Sequence, residues 1–168
     1  MKCKSLALAV LFAAFASSAL AQTQISGTAK CGKPDASQSI EAGDHAGHML
    51  LIEKVSSCTW SVPTEMAGLK STGFVYAESV DITATKFQTH GYAVITMENG
   101  DKAYVRYQGI GSMTKEGTPA SSEGTWSYSG GTGKLKGLKG RGAFKTSGTL
   151  DAGEAKLEGT YSLPEPKK

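Results

Sequence analysis

Residues 154–163, with the sequence EAKLEGTYSL, alternate strictly between two kinds of side chain. A period of two places successive residues on opposite faces of a β-strand. One face of this segment is apolar or small, and it carries Ala155, Leu157, Gly159, Tyr161 and Leu163. The pattern therefore predicts a strand with one side in solvent and the other against an interior.

A β-hairpin is predicted around Asn99-Gly100, the pair best suited to a type I′ turn because both residues tolerate a positive φ. A turn of this kind places Tyr92 opposite Tyr107, with His90 on the same face. This is the more apolar face of the hairpin, so we expect it to point inward. A shift of one residue in the register would exchange the two faces.

The same period recurs along most of the chain, between turns rich in Gly, Ser and Thr. Further candidate strands are residues 23–29, 48–55, 73–76, 79–86, 124–129 and 141–149. Gly accounts for 21 of the 168 residues, and no long amphipathic helical stripe is found. About eight short antiparallel strands predict an all-β domain over residues 22–163, followed by a disordered tail at 164–168. We favour a closed barrel over a β-sandwich because closure removes exposed strand edges.

The first 21 residues have the layout of a secretory signal peptide. Lys2 and Lys4 form a basic head, residues 6–16 are an unbroken apolar run, and Ala19-Leu20-Ala21 is a cleavage motif. The apolar run falls short of the ~20 residues that span a bilayer. We therefore expect a secreted or periplasmic protein that begins near Gln22, with no membrane insertion after cleavage.

Export bears on both the cysteines and the charge. Cys31 and Cys58 would be the two cysteines left, and in an oxidising compartment a disulfide is the expected state, which stabilises a fold by about 3–4 kcal/mol. Removal of the leader also leaves 16 Lys and Arg against 15 Asp and Glu. This balance gives little support for binding to nucleic acid or to an anionic membrane.

Residues 124–144, GTWSYSGGTGKLKGLKGRGAF, combine a strand, a Gly-Gly-Thr-Gly-Lys segment and spaced glycines that lead into another strand. This arrangement resembles the barrels of the dirigent and allene oxide cyclase type, and also small exported bacterial proteins of unassigned function. The resemblance implies an eight-stranded barrel, often a homo-oligomer, with a largely apolar cavity for a hydrophobic small molecule. No residue matches that family's catalytic groups, so none is assigned here.

The candidate ligand-binding residues are those expected to line the interior, namely His90, Tyr92, Tyr107, Trp126 and Tyr128. The last two share one face of their strand, where their large side chains could fill or line an interior. An imidazole beside two phenols in an apolar lining could orient a ligand or act as a general acid–base. The alternative is a hydrogen-bonded histidine at the rim of the barrel.

A second cluster combines His45 and His48 with Asp44. Residues three apart on a strand point to opposite faces, so these histidines could share a metal only in a turn, which Gly43 and Gly47 permit. We expect a solvated loop here, with no metal or other cofactor.

The sequence favours a binding module that holds a small hydrophobic or amphipathic molecule. Two alternatives remain open, a cyclase or isomerase that uses the same cavity, and a packed envelope scaffold or interaction protein without a ligand. An eight-stranded barrel can either fill its interior or leave room for one ligand.

Overall fold

The computed structural model describes residues 22–149 and 152–165. This part of the chain consists almost entirely of β-strands, which confirms the predicted all-β class. The predicted signal peptide at 1–21 lies outside the described residues, as do residues 166–168 of the predicted tail. No helix in the described ranges is long and apolar enough to cross a membrane.

Ten strands and one short 3-10 helix follow one another along the described part of the chain. The strands are β1 (Thr23–Gly32), β2 (Ala36–Glu41), β3 (His48–Val62), β4 (Glu65–Met66), β5 (Leu69–Thr83), β6 (Lys86–Met97), β7 (Lys102–Met113), β8 (Pro119–Gly131), β9 (Lys139–Thr149) and β10 (Ala152–Ser162). The 3-10 helix, Gly133–Leu135, lies between β8 and β9.

Eight of the strands form a closed antiparallel barrel. Their order is β3-β1-β10-β9-β8-β7-β6-β5, and β5 pairs again with β3 to close the ring. The two remaining strands lie outside this ring, β2 beside β3 and β4 beside β5. The predicted barrel is therefore confirmed, and the alternative of a β-sandwich is wrong.

Strand β3 closes the barrel because it pairs with β5 along one edge and with β1 along the other, where β1 follows β2 as its neighbour. Residues 49–54 pair with β2 on one side and β5 on the other, whereas residues 58–62 pair with β1. Cys58 lies directly opposite Cys31 of β1, and the two form a disulfide. The predicted disulfide is confirmed, and it joins the two strands near the point where β3 exchanges its partners.

Two of the predicted strands are one element. Residues 73–76 and 79–86 were expected as separate strands, but β5 runs without a break to Thr83, and the turn to β6 lies at Ala84 and Thr85. Ala84 adopts a positive φ of 52° in this turn. By contrast, the inward face predicted for β10 is confirmed, since Tyr161 is buried and Leu157 packs against the core.

The predicted register of the β6–β7 hairpin is wrong by one residue. Met97 donates its N–H to the carbonyl of Asp101, at 2.8 Å, and encloses a loop of three residues. Only Gly100 of the Asn-Gly pair has a positive φ, at 86°. A three-residue loop that ends in a left-handed glycine replaces the two-residue type I′ turn, and the extra residue shifts the pairing.

This shift exchanges the two faces of β6 relative to β7, whose predicted inward face is retained. Tyr107 pairs with Gly91, and Tyr92 pairs with Arg106. His90 and Tyr92 are consequently exposed on the outer face, contrary to their predicted inward position, while Tyr107 keeps its inward position.

One end of the barrel is filled by side chains. Strand β4 and the 3-10 helix bring Met66 and Leu135 to this end, where both are fully buried with Leu69 and Met97. We call it the packed end. The remaining interior volume therefore lies in the middle of the barrel and toward the opposite end, which is formed by the β2–β3, β5–β6 and β7–β8 turns.

Candidate functional site

The inner face of the barrel surrounds a cavity of about 500 Å³. Its lining includes Gly47, Ala84 and Gly117, which belong to the turns opposite the packed end. The volume falls within the range of cavities that accept small organic molecules, about 300–1,000 Å³. The barrel thus has one filled end and one cavity that extends toward its turns.

Glycines on neighbouring strands make room for the aromatic rings of the inner face. At four places an inward aromatic residue lies directly across from a glycine whose Cβ, if present, would overlap the ring. The pairs are Phe87 with Gly111, Tyr107 with Gly91, Trp126 with Gly142, and Phe144 with Gly124. The rings therefore lie over the backbone of the adjacent strand, and this placement leaves the centre of the barrel free.

Five of the inner aromatic side chains form a continuous series around the wall. Neighbouring ring centroids are 5.2–6.3 Å apart, in the order Trp60, Phe74, Tyr76, Tyr107 and Phe144. The Tyr76–Tyr107 and Tyr107–Phe144 contacts are edge-to-face, a geometry that stabilises aromatic pairs beyond their buried area. The series gives the cavity a wall that is apolar but can also interact with a cation through the faces of its rings.

Two carboxylates interrupt this apolar lining. Glu53 of β3 and Glu78 of β5 are directly opposite each other, and both line the cavity. The Glu53 residue is only 7% exposed. Like charges directly opposite across two strands destabilise a sheet, so the pair is costly to the fold when both groups are ionised.

Glu78 has two hydrogen-bond partners. The hydroxyl of Thr89 donates to its Oε2, and the hydroxyl of Tyr107 donates to the same oxygen at 3.2 Å. Burial raises the pKa of Glu78, and these two hydrogen bonds act in the opposite direction. Burial also raises the pKa of Tyr107, and the neighbouring negative charge of Glu78 adds to this effect, so the phenol stays protonated and able to donate.

Glu53 has no hydrogen-bond donor within reach among the described residues, in contrast to Glu78. Burial raises the pKa of Glu53, and the charge of Glu78 raises it further. No Lys, Arg or His of the described ranges lines the cavity. A third carboxylate of the lining, Glu154, is paired with Lys156 at 3.6 Å. The central pair therefore has no cationic partner among the described residues.

Three of the five candidate ligand-binding residues line the cavity, namely Tyr107, Trp126 and Tyr128. Trp126 and Tyr128 are buried, and the indole N–H of Trp126 donates to the carbonyl of Ala143 at 3.0 Å. Tyr128 has a raised pKa, chiefly through burial. These two rings thus form a fixed part of the wall.

The other two candidates, His90 and Tyr92, do not reach the cavity. They line a broad depression on the outside of the barrel together with Arg106 and Arg141. The Arg106 guanidinium carbon lies 5.8 Å from the centre of the Tyr92 ring, within the range of a cation–π contact. Their proposed place beside a ligand in the interior is therefore wrong, and the cause is the shifted hairpin register.

Sequence reasoning missed Glu53 and Glu78, although the alternation contains a signal for both. Glu53 takes the place of an apolar residue in the inward series Met49, Leu51, Glu53, Val55. Glu78 likewise falls in the inward series Phe74, Tyr76, Glu78, Val80, Ile82. An acidic residue in phase with an apolar face is the feature that could have identified the pair.

The cluster of Asp44, His45 and His48 converges in a turn, the arrangement that the two flanking glycines were expected to permit. Gly43 and Gly47 both have a φ of 77°. Asp44 Oδ1 lies 3.1 Å from Nδ1 of His45 and 2.5 Å from Nδ1 of His48, and the three groups lie close enough to share a metal ion.

Asp81 of β5 also contacts this cluster, and its Oδ1 lies 3.1 Å from Nε2 of His48. Such a contact is typical of metal-binding histidines because it fixes the tautomer and the orientation of the ring. The side chains of Asp44 and His45 are more than half exposed. The expectation that this turn binds no metal stays a prediction.

Comparison with known proteins gives little further information. No family model matches the chain, and no curated protein is significantly similar to it. Its fold is similar to that of a conserved protein of unknown function from Rhodopseudomonas palustris, with a TM-score of 0.49 and 11% sequence identity. The match covers 83% of this chain and 98% of the other. The resemblance to dirigent and allene oxide cyclase barrels stays a prediction.

Proposed function

We propose that the protein binds a small hydrophobic or amphipathic molecule inside its barrel. The observation that carries this proposal is the cavity of about 500 Å³, which is lined mainly by aromatic and aliphatic side chains. Protein interiors normally pack as densely as organic crystals, because an unfilled void forfeits van der Waals contacts. A barrel with glycines that hold its rings against the wall is better suited to a ligand than to a packed scaffold.

We also propose that the protein works outside the cytoplasm. The Cys31–Cys58 disulfide is compatible with an oxidising compartment, and the N-terminal sequence has the layout of a leader. N-terminal sequencing of the protein from the periplasm or the medium should begin near Gln22. Recovery of the uncleaved chain from the cytoplasm would contradict this part of the proposal.

Binding can be tested with N-phenyl-1-naphthylamine, a neutral apolar dye that fluoresces strongly when it leaves water. The folded protein is expected to increase its fluorescence in a saturable way. Ala93 lines the cavity, so the Ala93→Phe substitution should fill part of the volume and lower the affinity for the dye. Tyr92→Ala, on the outer face of the same strand, is the matched control and should bind the dye normally. Equal binding by both variants and the wild type would place the dye elsewhere.

A second candidate function is an isomerase or cyclase that uses the same cavity. The observation that favours it is the pair of Glu53 and Glu78, since carboxyl groups with raised pKa values exchange protons more readily near neutral pH. One group could remove a proton from a bound substrate while the other, or the hydroxyl of Tyr107, returns one. Incubation with a metabolite extract should then convert a compound with the wild type but not with Glu78→Gln, and an unchanged extract would count against an enzyme.

A further inference from the structure

Among the described residues, Glu53 and Glu78 lack the charge partner that buried acids normally have. Glu53 is nine-tenths buried, lines the cavity and has no hydrogen-bond donor from the described part of the protein. A buried charge is tolerated when it is paired, and it is expensive when it is alone. The unmet requirement at Glu53 is therefore a positive charge or a hydrogen-bond donor, which no residue of the described ranges supplies.

The position of Glu78 makes this requirement stronger. It lies directly opposite Glu53, so the two carboxylates repel each other when both are ionised. Thr89 and Tyr107 both donate to Oε2 of Glu78, and its other oxygen has no partner among the described residues. A single cationic group placed between the pair would satisfy Glu53 and this second oxygen together.

The surrounding wall favours an organic cation over a metal ion. Calcium takes six to eight oxygen ligands, and magnesium takes six in a regular octahedron. Tyr107 donates to Glu78, and Tyr76 and Phe74 precede Glu78 on the inward face of β5, so aromatic rings stand beside the carboxylates. Aromatic faces attract ammonium groups and also provide apolar contact for an attached hydrocarbon.

We propose that the ligand of this cavity is a hydrophobic amine, with its protonated nitrogen held between Glu53 and Glu78 and its apolar part against the aromatic wall. This inference rests on the proposed binding function and specifies its ligand class. The same arrangement disfavours fatty acids and other hydrophobic anions, because the cavity offers them the facing carboxylates of Glu53 and Glu78 and no Lys, Arg or His from the described ranges. Neutral molecules of the same shape would bind only through their apolar part.

The test compares three ligands that differ only in the head group, decylamine, decanol and decanoate, by isothermal titration calorimetry with the full mature protein below their micellar concentrations. Decylamine is expected to bind at least about tenfold more tightly than decanol, which corresponds to about 1.4 kcal/mol. Decanoate is expected to bind most weakly. Glu53→Gln and Glu78→Gln should each lower the affinity for decylamine by about tenfold or more, and should leave the affinity for decanol nearly unchanged.

Glu123→Gln is the matched control. The Glu123 side chain is 65% exposed, and its carboxylate contacts Lys145, so this substitution should change none of the three affinities. Binding of decanol by each variant also shows that its cavity is folded; should Glu53→Gln fail to fold, Glu78→Gln makes the same comparison.

The outcomes separate the two proposals. If decanol or decanoate binds as tightly as decylamine, or if the glutamine variants bind decylamine normally, the inference about the amine is wrong while the binding function stands. If none of the three ligands binds, the binding function fails and the inference fails with it.

Discussion

Tyr107 lies directly across from Gly91 on the inner face of the barrel, and its ring occupies the space that a side chain at residue 91 would need. The same ring carries the hydroxyl that donates to Glu78. One glycine therefore sets both the position of an aromatic wall residue and the geometry of the acidic pair. This dependence can be tested directly.

We expect Gly91→Ala to destabilise the protein by about 1–3 kcal/mol, the usual cost of adding a methyl group to a filled site. The new Cβ would push the Tyr107 ring away from the wall and into the cavity, and would also weaken its hydrogen bond to Glu78. Urea unfolding measures the change. The control is the same substitution in a Tyr107→Ala background, where the cost should become much smaller because the ring is absent. An equal cost in both backgrounds would show that the ring is not the cause.

Glu53→Gln is expected to stabilise the empty protein at neutral pH, by up to about 1 kcal/mol for the removal of one like-charge contact. Burial and the charge of Glu78 raise the pKa of Glu53 above its usual value, so the ionised group disfavours the folded state. The penalty is full above the pKa of the folded state and is absent below the usual value near 4.5, where Glu53 is protonated in both states.

The gain in the free energy of unfolding should therefore be present at pH 7 to 8 and should decline toward zero as the pH falls to about 4. Urea unfolding at several pH values measures it, with the exposed Glu123→Gln as the control. A gain that does not change with pH would contradict the assignment, since a change in packing alone does not titrate.

The stability of the turn that contains Asp44 and His48 should fall at both high and low pH. The hydrogen bond with Asp44 raises the pKa of His48 above 6.5, and the same bond lowers the pKa of Asp44 below 3.8. The pair therefore supports the turn at pH values between these two shifted pKa values. Its contribution is lost when the pH rises through the pKa of His48, and also when the pH falls through the pKa of Asp44.

Proton NMR of the His48 ring measures the first of these transitions. Asp44→Asn should lower the pKa of His48 toward 6.5. Asp81→Asn should lower it less, because the hydrogen bond between His48 and Asp81 contributes less to the raised pKa. An unchanged titration in Asp44→Asn would mean that the two groups do not interact in solution.

Replacement of both Cys31 and Cys58 by Ser is expected to lower the free energy of unfolding by about 3–4 kcal/mol, because the disulfide restricts the unfolded chain. Guanidinium unfolding of the oxidised wild type and of the double variant measures the difference. Reduction of the wild type should reproduce the loss, whereas the double variant should not respond to reductant. Equal midpoints for all samples would contradict this expectation.

The sequence predicted the strands well because a period of two depends only on local burial. It could not predict the register of the β6–β7 hairpin, because that register depends on whether Asn99 adopts a positive φ. Asn99 tolerates a positive φ but does not adopt one here, and the loop gains a residue. Since a register shift of one residue exchanges the faces of one strand relative to its partner, the β6 residues His90 and Tyr92 lie outside the barrel and not in the expected interior, whereas β7 keeps its predicted inward face.

The acidic pair was missed for a different reason. Glu53 and Glu78 are 25 positions apart in the printed sequence, and only the pairing of β3 with β5 brings them together. A single glutamate in a strand is usually expected at the surface. The alternation of each strand could show that its glutamate faces inward, but the contact between the two strands follows from how the barrel closes.

The first and last strands of the barrel are neighbours, since Thr23 at the start of β1 pairs with Tyr161 near the end of β10. The cylinder therefore cannot be completed until almost the entire polypeptide has been made. Contacts between such distant parts of a chain slow folding, because the intervening segment must first be ordered. A chain that leaves the cytoplasm through a narrow pore would cross with its first strand still lacking this partner, and would assemble only after its C-terminal end had emerged.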